Sequence, residues 1–83
     1  MSWTWEYVPD ERHVADGAPP VLVSQVEERA AELVRAAEAL HVEGQAYDGF
    51  SPQGGNALVT DGMFAYQVVP RQERVYILQI TAW

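Results

Sequence analysis

Met63-Phe64-Ala65-Tyr66-Gln67-Val68-Val69, Pro70-Arg71-Gln72-Glu73-Arg74 and Val75-Tyr76-Ile77-Leu78-Gln79-Ile80-Thr81-Ala82-Trp83 follow one another without a break. The first and third stretches are rich in aromatic and β-branched residues, and the middle one opens on proline, so the pattern predicts two strands joined by a turn. Side chains alternate between faces along a strand. Strict alternation puts Phe64, Tyr66 and Val68 on one face with Tyr76, Leu78 and Ile80, and this face reads as core. Met63, Ala65 and Gln67, with Gln79, Thr81 and Trp83, make a mixed second face suited to water or a partner.

Upstream, residues 2–8 set Trp3, Trp5 and Tyr7 on one side and Thr4, Glu6 and Val8 on the other, the period-two signature of a strand. Three large aromatics on one face can serve as a ligand platform. In a chain this small they are expected to fill the interior instead. Pro9 ends the strand, and residues 10–16 supply a short helix with Asp10 as N-cap and Gly17 as stop. Pro19-Pro20 leads into a long helix over residues 20–42. Its apolar stripe is Leu22, Val26, Ala30, Leu33, Ala37 and Leu40, at spacings of three and four.

Ser24-Gln25-Val26-Glu27 matches a capping box, which offers an alternative start nearer Ser24. Glu28, Glu32 and Arg35 fall on the outer side, with Glu32–Arg35 and Arg35–Glu38 at i,i+3 spacing. Gly44 is the expected stop. Residues 45–56 hold three of the six glycines plus Pro52 and read as a surface loop. A short strand over residues 57–60 and an Asp61-Gly62 hairpin signal then lead back to Met63.

Eighty-three residues make a single domain over 1–83. A chain of this length buries about 60–65% of its unfolded surface, so it needs an efficient core or an oligomeric partner, a homo-oligomer included. There is no cysteine, which excludes disulfides and thiolate metal sites and fits a cytoplasmic location. No signal peptide is recognisable. No apolar run approaches the about 20 residues that span a bilayer, so no membrane association is expected.

Twelve acidic residues face five arginines and no lysine, for a net charge of −7. The field of such a molecule repels phosphate, which argues against direct binding of nucleic acid. His13 has no second ligand at metal spacing, and His41 suits the C-terminal end of the helix dipole. Gly54-Gly55 lacks the strand, lysine and helix of a phosphate-binding loop. No spacing calls for a cofactor, and no Ser-His-Asp order with an elbow turn is present.

The expected fold is α+β: a mainly antiparallel four-stranded sheet in the order strand-helix-helix-strand-strand-strand, with two helices packed on one face. With these residues in place the chain resembles the RelE/ParE superfamily of small bacterial toxins from toxin–antitoxin pairs. The resemblance is carried by Trp5-Glu6-Tyr7-Val8-Pro9, the Leu22-to-Leu40 stripe, Leu58-Val59-Thr60-Asp61-Gly62-Met63-Phe64-Ala65-Tyr66-Gln67-Val68 and Arg74-Val75-Tyr76-Ile77-Leu78-Gln79-Ile80.

RNA-cleaving members are similar to one another in placing basic residues, with a tyrosine or histidine, on the open sheet face. These come from the second strand, the start of the third and just beyond the last. Here those positions fall at Leu58, Met63 and Trp83, and none is basic. Tyr66 matches the family's tyrosine, but its parity places it in the core. The resemblance therefore implies a toxin-fold protein that acts by binding a small protein partner, an antitoxin-like segment, with little or no nuclease activity. Met63, Gln79, Thr81 and Trp83 are the candidate binding residues, and no catalytic or metal-ligating residue is assigned. An active toxin, whether a ribosome-dependent endoribonuclease or a gyrase inhibitor, stays open as an alternative, as does an orphan interaction domain.

Overall fold

A computed structural model describes residues 3–43 and 53–83. Its elements are β1 (Thr4–Tyr7), α1 (Glu11–Ala15), α2 (Pro20–Glu43), β2 (Gly54–Val59), β3 (Gly62–Val69) and β4 (Arg74–Ala82), with a 3-10 turn at Pro70–Gln72 before β4. The strands form one sheet in the order β1-β4-β3-β2. It is mixed: β2, β3 and β4 are antiparallel neighbours, while β1 runs parallel to β4. The α+β order is as expected, and the parallel β1–β4 pair corrects the mainly antiparallel expectation only at that edge.

Both helices contribute to one core with the covered face of the sheet. α2 brings Leu22, Val26, Ala30, Leu33 and Ala37, and α1 brings Val14. The sheet answers with Trp3, Tyr7, Ala57, Phe64, Tyr66, Val68, Val75 and Ile77. The N-terminal aromatics are thus core rather than a platform. Trp3 and Tyr7 are buried, Trp5 is partly buried against the cluster, and Trp5 and Tyr7 meet edge to face at 5.2 Å. Trp3 also stacks on His41 at 5.4 Å, so His41 shields an indole at the far end of α2. Leu40 is half-buried at the end of the stripe.

β4 departs from strict alternation. Ala65 faces Gln79 and Tyr66 faces Ile77, so Leu78 is an extra residue, a β-bulge. Parity inverts there. Val75 and Ile77 are fully buried, Tyr76 is half-buried on the open side, and Leu78 is 40% exposed. The expected core positions Tyr76 and Leu78 are therefore corrected, while Ile80, beyond the bulge, packs on the core opposite Phe64.

The other boundary differences have local causes. β2 starts at Gly54, three residues earlier than expected, because β3 supplies a pairing partner for each of Gly54, Gly55 and Asn56. Gly54 has φ +126°, and a Cβ there would lie 2.5 Å from the Tyr66 carbonyl oxygen, so only glycine allows this approach. The hairpin turn is Thr60-Asp61 rather than Asp61-Gly62, with neither residue at positive φ. Gly62 is required for space: a Cβ would stand 2.3 Å from the Thr81 carbonyl oxygen. α2 starts at Pro20 rather than at Ser24, since proline suits the first helical position. On its outer side Glu32 receives Arg29, at 3.1 Å, one turn before the expected Arg35. β1 is shorter than expected, although the Val8 N–H still donates to the Ile77 carbonyl at 3.0 Å. Gly44 and the loop over 45–52 lie outside the described residues.

Polar contacts also tie α2 to the sheet. The Gln25 amide grips Asp61 twice, with Nε2 donating to Oδ2 at 2.8 Å and Oε1 accepting from the Asp61 backbone N–H at 3.0 Å. This fixes the β2–β3 turn against the first turns of the helix. Gln25→Ala leaves a part-buried N–H without that acceptor and is expected to lower unfolding free energy by about 1–2 kcal/mol in chemical denaturation.

Another such contact is the Tyr7 hydroxyl, which donates to Glu27 Oε2 at 3.1 Å. Burial above all, then this bond and the charges of Glu27 and Glu11, push the phenol well above its usual 10.0. A folded-state pKa above the unfolded one gives stability that is full below the unfolded value and is lost as pH rises through the folded one. Urea unfolding from about pH 8 to about pH 11 should therefore show stability falling, less steeply in Tyr7→Phe.

Candidate functional site: the open sheet face

The face of the sheet turned away from the helices is built in cross-strand rows. Leu58, Met63 and Thr81 lie side by side on β2, β3 and β4, followed by Asn56, Ala65 and Gln79. Next come Gly54, Gln67, Tyr76 and Glu6, and finally Val69, Arg74 and Thr4. Trp83 extends the first row outward, because its N–H donates to the Asp61 carbonyl at 3.2 Å and continues the β3–β4 ladder.

The corner formed by Leu58, Met63, Thr81 and Trp83 is apolar and open. Leu58 is 67% exposed and Trp83 69%, Thr81 is exposed and Met63 half-buried. Three of the four candidate residues, Met63, Thr81 and Trp83, meet here. The fourth, Gln79, sits one row along, opposite Ala65 and exposed. Leu58, the second-strand family position though not one of the four candidates, joins them, since the burial of its neighbour Ala57 sets its outward parity. Leu78, pushed out by the bulge, adds an unexpected apolar side chain near Gln79.

Among the described residues, charge on this face lies at the opposite end. Arg74 Nη1 donates to the carbonyls of Gln72 and Glu73, each at 3.2 Å, and its Nε lies 3.8 Å from Glu6 Oε2. Its guanidinium is thus held along the hairpin and offset by a carboxylate. The Tyr76 hydroxyl donates to Gln72 Oε1 beside it. The exposed acids lie largely on the helices, among them Glu11, Glu28, Glu32 and Glu38, with Asp16 just past α1.

At the apolar corner the side chains are an isobutyl, a thioether, a hydroxyl and an indole. None takes up or releases a proton near neutral pH. Asp61, the nearest carboxylate by register, is held toward α2 by Gln25. The corner can bury apolar surface and offer hydrogen bonds from Thr81, Gln79 and the indole N–H. Its own side chains carry no positive charge.

Other groups singled out by the sequence stand apart. His13 is engaged by the helix N-cap Asp10, whose Oδ1 accepts from the His13 backbone N–H at 2.9 Å and lies 2.9 Å from its Nδ1. Tyr66 is buried in the core, as its parity requires. Among the described residues no three His, Asp or Glu side chains group as metal ligands, and no helix is long and apolar enough to cross a membrane. In comparisons with known proteins, no family model, no curated protein and no solved structure matches this chain.

Proposed function

We propose that this chain is a RelE/ParE-like toxin-fold protein of a toxin–antitoxin type that works by binding a small protein partner on its open sheet face, with little or no nuclease activity. One observation carries the reading. Leu58, Met63 and Trp83, the positions where the RNA-cleaving members of the resembled family place basic residues, form a contiguous apolar corner that faces solvent. Methionine and tryptophan suit the centre of a protein interface, where charged residues are depleted. Among the described residues an RNA strand would meet no free cation there, and a molecular charge of −7 opposes its approach.

The chemical deficit is large. A positioned acid or base is worth about 10²–10⁴-fold in rate. An electrostatic stabiliser adds about 10²–10³-fold. The test is co-expression with the product of the adjacent reading frame, followed by assay of the purified chain on translating ribosomes. The expected result is a stable complex and no messenger cleavage above background. Cleavage of ribosome-bound messenger by the free chain, or the lack of any complex, overturns the proposal.

A further inference from the structure

β2 lies at one edge of the sheet, and among the described residues no strand pairs with its outer side. Such edges are usually blunted by charge, proline, bulges or short length. β1, at the other edge, has four residues and carries Glu6. β2 has six, Gly54–Val59, without a charge or a proline.

Its phase can be read from the turn. A two-residue loop makes Val59 and Gly62 a bonded pair, and bonded pairs then alternate along the ladder. The Val68 N–H donating to the Gln53 carbonyl at 3.3 Å keeps that phase. The backbone N–H and C=O groups of Asn56 and Leu58 therefore point outward, away from β3.

Beside this edge an open groove of about 220 Å³ separates β2 from α2, with Glu28, Arg29 and Glu32 on the helix side and Leu58 on the strand side. Arg29 is engaged by Glu32 at 3.1 Å, which leaves the helix wall net negative. We propose that the partner binds as an extended segment that adds a fifth strand to β2, its alternate residues basic toward Glu28 and Glu32 and apolar over Leu58 and the open face. This rests on the protein-binding reading above and specifies the partner's chemistry. A second copy of this chain is the poorer occupant, because it would set one acidic helix face against another, each on a molecule of charge −7.

The probe is a synthetic eight-residue peptide alternating lysine with valine or leucine, titrated into ¹⁵N-labelled protein and followed by NMR. Amide shifts should move along β2 and around Glu28 to Glu32, and replacing lysine by glutamate in the peptide should abolish binding. Asn56→Pro removes an outward N–H without touching the β2–β3 ladder, and should weaken the peptide about tenfold or more. Should that variant fold poorly, two N-methylated peptides blocked on opposite edges replace it, and only one of them should lose affinity. Equal binding of lysine and glutamate peptides, equal binding of both N-methylated forms, or no shift along β2 overturns the strand addition. If the natural partner depends on Trp83 but not on Asn56, this inference fails while the protein-binding reading stands.

Discussion

Ile77→Ala is expected to lower the unfolding free energy by about 3 kcal/mol, whereas Leu78→Ala, one residue on, should cost less than about 1 kcal/mol. Ile77 is fully buried and sits in register between Tyr7 of β1 and Tyr66 of β3, under the helices. Truncating it removes buried methylenes and leaves a cavity where a parallel and an antiparallel neighbour meet. Leu78 is the bulged residue, 40% exposed, and its side chain leaves the core. A domain of this length has a total stability of only about 4–12 kcal/mol, so the first variant should lose roughly 15 °C in melting temperature. Calorimetry or urea unfolding of the two variants checks it. Reversed costs, with Leu78→Ala the larger, would mean that β4 keeps strict alternation and that the bulge is absent.

The same two residues show where the sequence ceases to be legible. In β3 only apolar and amide side chains alternate, Gln67 marks the outer face, and the parity of Phe64, Tyr66 and Val68 is unambiguous. In β4 the run Val75-Tyr76-Ile77-Leu78 is apolar at every position, so either parity fits and nothing local announces an inserted residue. The bulge is fixed by long-range pairing with Ala65 and Tyr66, which no window within β4 contains. The direction of β1 is hidden for a similar reason: Trp3, Trp5 and Tyr7 point to the core whether their strand runs parallel or antiparallel to β4. The α2 stripe, in contrast, depends on spacing alone and reads directly from Leu22 to Ala37.

Site residues divide in the same way. Met63 lies on β3, where alternation is regular, and Thr81 lies beyond the bulge from Tyr76, on the stretch of β4 where simple alternation from Gln79 holds, so the two are paired on the open face. Leu58 follows the Gly54-Gly55-Asn56 run, whose low strand propensity disguises the first half of β2. Pairing with β3 overrides that propensity, and Leu58 then falls beside Met63.

Charge is distributed to match. The helical side carries exposed carboxylates, which keep the molecule acidic, while among the described residues the charged members of the open-face rows are Glu6 and Arg74, themselves 3.8 Å apart. A partner approaching the sheet therefore meets a locally neutral surface with acidic flanks. Such a surface favours an apolar segment with basic residues at its margin over a polyanion of any sequence.

Trp83→Ala is expected to weaken partner binding by about 2 kcal/mol or more, roughly thirtyfold, while leaving the melting temperature nearly unchanged. The indole is 69% exposed, so little packing is lost when it is removed from the free protein. Its backbone bond to Asp61 is kept by alanine, so the register of the corner survives the substitution. Burying this indole against a partner is worth about 2–3 kcal/mol from its apolar area alone. The neighbouring Leu58 and Met63 can exclude water around it, the setting in which a single aromatic dominates an interface. Isothermal titration with the co-purified partner, run beside thermal unfolding of the free variant, separates the two roles. A fall in melting temperature with affinity intact would make Trp83 a plug for the sheet edge. Lost affinity on an unchanged fold would make it the anchor of the open face.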